Sequence, residues 1–201
     1  MARRTKLTTA EGPMQKIGVF CSSYENIDQA FFDDALVLAK WIGSNKKELV
    51  YGGTNKGMMR VIASAVKDNG GEVTGIIPQN ILDMGFAFPK LDNMIVTTSL
   101  SERKDLLISN SDIIIAMPGG FGTLDEAFST IAQRKLGYHN KELIFCNTNG
   151  IFDEMIACLD KLYSTNFAPT SYKDYYKVFN SAEECVEYLS STPAPLQKRG
   201  E

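Results

Sequence analysis

The chain has 201 residues, 44% of them hydrophobic and 22% charged. This suits one ordinary globular domain with a substantial core and excludes large-scale disorder. A formal net charge of -3 gives no general attraction to nucleic acid or to anionic membrane, so any bound phosphate has to be held locally. No apolar run approaches the roughly 20 residues that span a bilayer. The polar stretch Met1 to Gln15, with Arg3, Arg4 and Lys6, lacks the apolar middle of a secretory signal and reads as a disordered tail. The four cysteines, Cys21, Cys146, Cys158 and Cys185, form no C-x-x-C pair. Neither a metal site nor a redox motif is expected, and the location expected is the cytoplasm.

In chain order, Lys16 to Cys21 reads as a first strand. Asp28 to Ser44 has helical spacing, with Phe31, Ala35, Leu38, Ala39 and Ile42 on one face and Asp28 as a cap. Strand Glu48–Tyr51, helix Gly57–Asp68 and strand Glu72–Ile77 follow. Gln79 to Leu91 has no period and reads as a surface loop, long enough to suggest function. Then come strand Asn93–Thr97, helix Ser101–Ser109, strand Asp112–Met117 and helix Thr123–Leu136. Strand Glu142–Cys146, helix Ile151–Ser164, a short strand Tyr176–Phe179 and helix Ala182–Leu189 complete the series. The strands are apolar on both faces, as in a parallel sheet covered on both sides. The expectation is one α/β domain over 16–190, a doubly wound Rossmann-like sheet with helices on both faces, between disordered tails at 1–15 and 191–201. Ligands in such sheets bind beyond the C-terminal ends of the strands, where the strand order reverses.

Two glycine-rich turns occupy such positions. Tyr51-Gly52-Gly53-Thr54-Asn55-Lys56-Gly57 joins a strand to a helix and suits either a phosphate or a plain tight turn. It is neither a dinucleotide fingerprint nor a P-loop. Pro118-Gly119-Gly120-Phe121-Gly122-Thr123 carries three glycines in four positions, more than a simple turn needs. Thr123 reads as the N-cap of the next helix, and Thr123-x-x-Glu126 as a capping box. On spacing alone, the cap is the simpler reading of Glu126. Glu102-Arg103-Lys104 is either a solvated face or, through the planar fork of Arg103, a phosphate grip. Ser22-Ser23-Tyr24 offers two hydroxyls and a ring for a base or sugar, or is an ordinary loop. His139, the only histidine, lies in a turn and reads as a surface residue; no G-x-S-x-G elbow accompanies it.

Gly119 to Glu126 matches a P-G-G-x-G-T-x-x-E signature, and here the chain resembles the Lonely Guy (LOG) family of cytokinin-activating phosphoribohydrolases, long labelled lysine decarboxylases. Tyr51-Gly52-Gly53 through Met59 is similar to that family's Y-G-G-G-x-x-G-L-M-G segment, Glu102-Arg103-Lys104 to its E-R-K, and Leu136 to Lys141 to its L-G-x-H-x-K. The likeness runs from about Lys16 to Leu189. It implies a homodimeric Rossmann-like enzyme with no metal or redox cofactor, which releases a free base and ribose 5-phosphate from a nucleoside 5'-monophosphate. By carry-over, Arg103 and Glu126 are the catalytic pair. Gly119, Gly120, Gly122 and Thr123 cradle the phosphate, and Ser22, Gly53 and Lys104 line the nucleotide pocket. The alternatives are a general purine or pyrimidine nucleotide nucleosidase and a non-catalytic carrier of the molybdenum-cofactor type. The chain departs from the family pattern at Cys21-Ser22-Ser23, one glycine short, and at Thr54, Arg60, Leu100, Ser101 and Gln133. The catalytic pair is retained, and the departures bear on the base pocket.

Overall fold

The computed structural model describes residues 16–191. The expected tails, 1–15 and 191–201, lie outside the described residues except for Ser191, which ends the last helix. Seven strands form one sheet: β1 (Lys16–Phe20), β2 (Glu48–Tyr51), β3 (Glu72–Pro78), β4 (Asn93–Thr97), β5 (Ile113–Ala116), β6 (Leu143–Cys146) and β7 (Tyr176–Phe179). Their order is β4-β3-β2-β1-β5-β6-β7, and every pairing is parallel. The helices are α1 (Gln29–Ser44), α2 (Gly57–Asp68), the short α3 (Gln79–Asp83), α4 (Leu100–Ser109), α5 (Phe121–Lys135), α6 (Asp153–Ser164) and α7 (Ala182–Ser191).

The near-continuous apolar strands are explained by burial on both faces. Ile17, Val19, Leu49, Tyr51, Ile113 and Ile115 point to a core shared with α1, α2 and α7. The alternate residues Phe20, Val50, Ile76, Ile114 and Ala116 point to a second core under α4, α5 and α6. Asp28 caps α1 as expected, its carboxylate accepting from the Ala30 amide at 2.9 Å.

From β1 the chain builds outward through β2, β3 and β4, then returns to lay β5 on the other side of β1. The strand order therefore reverses between β1 and β5, and the crevice above their C-terminal ends is the ligand position of the doubly wound class. The Ser22 amide donates to the Pro118 carbonyl at 3.2 Å, so the two loops at this point are tied together.

The stretch 79–91 is more ordered than its lack of period suggests. It opens with α3, and Ala87 bridges antiparallel to Thr54. The Asn55 amide donates to the Phe86 carbonyl at 2.7 Å, and the Phe88 amide to the Gly53 carbonyl at 2.9 Å. These contacts fold the segment onto the first glycine loop. No helix among the described residues is long and apolar enough to cross a membrane.

Candidate active site

A cavity of about 640 Å³ opens at the switch point. Three loops and two helices line it: Cys21 to Tyr24 after β1; Gly52, Thr54, Lys56 and Met59 after β2; Pro78, Ile81 and Phe86 at and after the end of β3; Leu100 and Arg103 on α4; and Gly120 to Thr123 with Glu126 at the start of α5. Its size suits a nucleotide-sized ligand.

Arg103 and Glu126 meet inside it. Arg103 Nη1 lies 2.9 Å from Glu126 Oε1, and both side chains are largely buried. Arg103 Nε also donates to the Ile76 carbonyl at 3.1 Å, which fixes the guanidinium over β3. Gly52 leaves room for it: a Cβ there would sit 2.2 Å from Arg103 Nη2. Glu126 is 4% exposed. Burial, with Asp125 adding to it, raises the pKa of its carboxyl, and Arg103 and Lys104 oppose the rise.

The capping-box reading of Glu126 is corrected by these positions. The N-cap of α5 is Gly120, with no side-chain cap bond, and the helix begins at Phe121. Thr123 is thus inside the first turn, and Glu126 is on the next turn with its carboxylate turned to Arg103. A capping box is present in the chain, but on α4. Ser99 is the N-cap and accepts from the Glu102 amide at 3.1 Å; Glu102 returns to accept from the Thr98 amide at 2.8 Å. Glu102 therefore orders the turn that carries Arg103.

The start of α5 presents amides with no partner in the helix, and the helix dipole adds partial positive charge. A Cβ at Gly120 or Gly122 would meet nothing within 4 Å, so both face open space at the cavity. Gly119 lies behind them, where a Cβ would collide with Thr123 Oγ1. Its glycine serves packing of Thr123, which is itself buried. Ser22 lines the cavity, its hydroxyl oxygen accepting from the Tyr24 amide at 3.0 Å and its carbonyl from the Met59 amide at 3.3 Å.

Two expected pocket residues stand outside the lining. Gly53 has φ 75 and faces the backbone of Gly75 and the side chain of Ile77, so it allows β2 to turn against β3. Lys104 pairs with Asp125 at 2.8 Å, a tie between α4 and α5 next to the Arg103–Glu126 pair. The wall contains residues that sequence reasoning had not selected, Lys56, Met59, Ile81 and Phe86, together with Leu100, one of the departures from the family pattern tied to the base pocket. Lys56 and Met59 lie in a segment already marked by its glycines. Nothing in the local sequence marks Phe86, because its place depends on the bridge from Ala87 to Thr54.

Other reactive groups are poorly suited to chemistry. Burial and the Glu126 carboxylate push the Cys21 thiol far up, so it stays protonated. His139 lies outside the cavity and is half-buried rather than a free surface side chain. Its Nδ1 accepts from the Lys141 amide at 3.1 Å, and burial with Lys141 and Arg134 lowers its pKa to about 4. Among the described residues no group of three or more His, Cys, Asp or Glu side chains is placed to hold a metal ion.

Fold and site together define a Rossmann-like α/β protein with a switch-point cavity, a glycine-rich helix start and a buried Arg–Glu pair. The family described as "Possible lysine decarboxylase" matches residues 59–189. A cytokinin riboside 5'-monophosphate phosphoribohydrolase of Arabidopsis thaliana, LOG5, is 32% identical over 88% of this chain and 78% of its own. A probable enzyme of that name from Oryza sativa subsp. japonica, LOGL9, is 33% identical over 87% of this chain and 77% of its own. The chain belongs to the LOG family. Among solved structures, the molybdenum cofactor binding protein of Rippkaea orientalis shares the fold, with TM-score 0.68 and 24% identity over 89% of this chain and 96% of that one. The Moco carrier protein of Chlamydomonas reinhardtii does so with TM-score 0.66 and 20% identity over 89% and 98%.

Proposed function

We propose that the protein hydrolyses the N-glycosidic bond of a nucleoside 5'-monophosphate and releases the free base and ribose 5-phosphate. The observation that carries this reading is the buried Arg103–Glu126 pair beside an open helix start in one cavity. The 5'-phosphate sits on the amides around Gly120, Gly122 and Thr123, with Gly119 keeping Thr123 in place. The sugar then lies against Glu126. Ser22 borders the same space, while Gly53 and Lys104 act as supports behind the wall.

Glycosidic cleavage passes through a sugar with positive charge at C1'. An ionised Glu126 stabilises that charge and takes a proton from the attacking water. The water oxygen bonds to C1' and the C1'–N bond breaks, its electron pair leaving with the base. The proton that water loses reaches the base through Glu126. Arg103 keeps Glu126 ionised and in place, and phosphate binding energy is used to orient a bond some distance away.

The relatives are named for cytokinin riboside 5'-monophosphates, and such nucleotides are within this reading. A wider nucleotide nucleosidase is the second reading, supported by the cation Lys56 in the wall. We further propose a homodimer. Leu100, Phe121 and Phe128 on α4 and α5 are exposed, Phe121 at 93%, and a second copy would cover them. The test is free-base release, followed by chromatography, from AMP, N6-isopentenyl-AMP and adenosine. Release from a nucleotide but poor release from adenosine supports the reading; equal rates for AMP and adenosine contradict the phosphate anchor.

A further inference from the structure

The loop after β1 crosses the crevice from the α5 side to the α2 side. It begins at α5, where the Ser22 amide donates to the Pro118 carbonyl at 3.2 Å, just before the glycine turn. The Ser22 carbonyl already belongs to the other side, accepting from the Met59 amide of α2 at 3.3 Å. A Cβ at Gly57, the first residue of α2, would collide with the backbone of Ser23 and Tyr24. Glu25 completes the passage with an ion pair to Arg60 on α2, at 3.7 Å. Tyr24 thus stands against the start of α2, after the loop has left the start of α5.

The Arg103–Glu126 pair lies between these two helix starts. Glu126 rides on α5 and meets Arg103 at 2.9 Å. Arg103 Nη2 lies over Gly52, and so does the methyl of Met59 on α2: a Cβ at Gly52 would stand 2.2 Å from the one and 3.1 Å from the other. Contacts therefore run from the α5 start through Glu126, Arg103 and Met59 to the loop that carries Tyr24. A nucleotide with its phosphate on α5 and its C1' at Glu126 extends its base along this line.

The ring of Tyr24 lines the cavity and yet is 72% exposed. Its backbone is fixed, the amide donating to Ser22 Oγ at 3.0 Å and the carbonyl packing on Gly57. Among the described residues no other ring stacks on it and no cation faces it. An open ring face on an ordered backbone suits a flat ligand, and every base has such a face whatever groups its edge carries. The loop is one glycine short of the family pattern, so the place of Tyr24 does not follow from that pattern.

We propose that Tyr24 is the stacking platform for the base, a specificity residue that reads the flat face of a nucleobase and leaves its edge unread. This rests on the phosphoribohydrolase reading of the site. Adenine and N6-alkylated adenine then stack alike, since the alkyl group hangs from the edge. Ribose 5-phosphate, which has no base, gains nothing from the ring.

The test measures KM and kcat for AMP and N6-isopentenyl-AMP, and inhibition by ribose 5-phosphate, with the wild type, Tyr24→Ala and Tyr24→Phe. Tyr24→Ala should raise KM for both nucleotides by about tenfold to a hundredfold and leave inhibition by ribose 5-phosphate unchanged. Tyr24→Phe keeps the ring face and should recover most of the loss. Four results overturn the inference while leaving the hydrolase reading intact: an unchanged nucleotide KM in Tyr24→Ala, a loss confined to N6-isopentenyl-AMP, ribose 5-phosphate weakened as much as AMP, or Tyr24→Phe as poor as Tyr24→Ala. Cleavage of neither nucleotide overturns the hydrolase reading instead. Calorimetric binding of AMP to the same proteins then decides: affinity lost in Tyr24→Ala and kept in Tyr24→Phe supports the platform, and equal affinity in all three, or none in any, overturns it.

Discussion

Gly52 exists as a glycine because Arg103 passes over it: a Cβ at residue 52 would stand 2.2 Å from Nη2 of the guanidinium. The same guanidinium contacts Glu126 at 2.9 Å and the Ile76 carbonyl at 3.1 Å. The loop after β2 thus shapes the Arg103–Glu126 pair without contributing a side chain to it.

Gly52→Ala should therefore displace Arg103 and lower kcat/KM by about a hundredfold, the scale of a displacement near 1 Å at a reacting centre. The fold should persist, because the obstacle is the end of a flexible side chain rather than backbone. Steady-state kinetics alongside circular dichroism checks both halves. Wild-type kinetics in the variant would show that the position of Arg103 does not matter.

Gly122→Ala separates stability from activity. Its Cβ would meet no protein atom within 4 Å, and it lies in the first turn of α5. Alanine is the better helix former, so thermal stability should stay within about 1 kcal/mol of wild type, on the stabilising side. The added methyl enters the space given to phosphate, so KM for a nucleotide should rise by about tenfold or more as charge-assisted hydrogen bonds to phosphate are lost. An unchanged KM would place the phosphate elsewhere.

The pH profile follows from Glu126. Burial raises its pKa above the ordinary carboxyl value, more than Arg103 and Lys104 lower it. The proposed reaction uses the carboxylate, so kcat/KM should climb as pH rises through this pKa. The acid limb should lie above the usual glutamate value of about 4.3. Arg103→Met removes a group that favours the charged form, so its residual activity should show a limb shifted further upward. A profile that falls with rising pH over that range would mean that the protonated acid is the working form.

Much of this could be read along the chain, and the reasons are local. The inner strands β1, β2, β3, β5 and β6 are apolar runs buried on both faces, and the major helices have periodic stripes of their own, so neither needs distant partners to be recognised. Asp28 capping α1 is legible for the same reason. Arg103 and Glu126 stand out in the sequence through the family signature; spacing alone favoured a cap for Glu126. The helix starts at Phe121 rather than Thr123 because Gly120 takes the N-cap position, and local letters do not distinguish the two. Phe86 was not legible at all. It joins the cavity through a bridge between Ala87 and Thr54, a contact across 33 residues that leaves no periodic trace. The tie of Lys141 to the carbonyls of Ile108 and Ser109, at 2.5 and 2.7 Å, is likewise invisible locally. It fastens the C-terminal end of α4, the helix whose first turn carries Arg103.

The most direct test of the central claim is product analysis with wild type and Glu126→Gln on AMP, IMP and GMP, following free base and ribose 5-phosphate together. The account predicts equal amounts of the two products from wild type and a loss of at least about a hundredfold in the variant, which keeps the shape of the side chain but not its charge. Release that continues at the wild-type rate in Glu126→Gln, or nucleotide that binds to the wild type and is never cleaved, would contradict it.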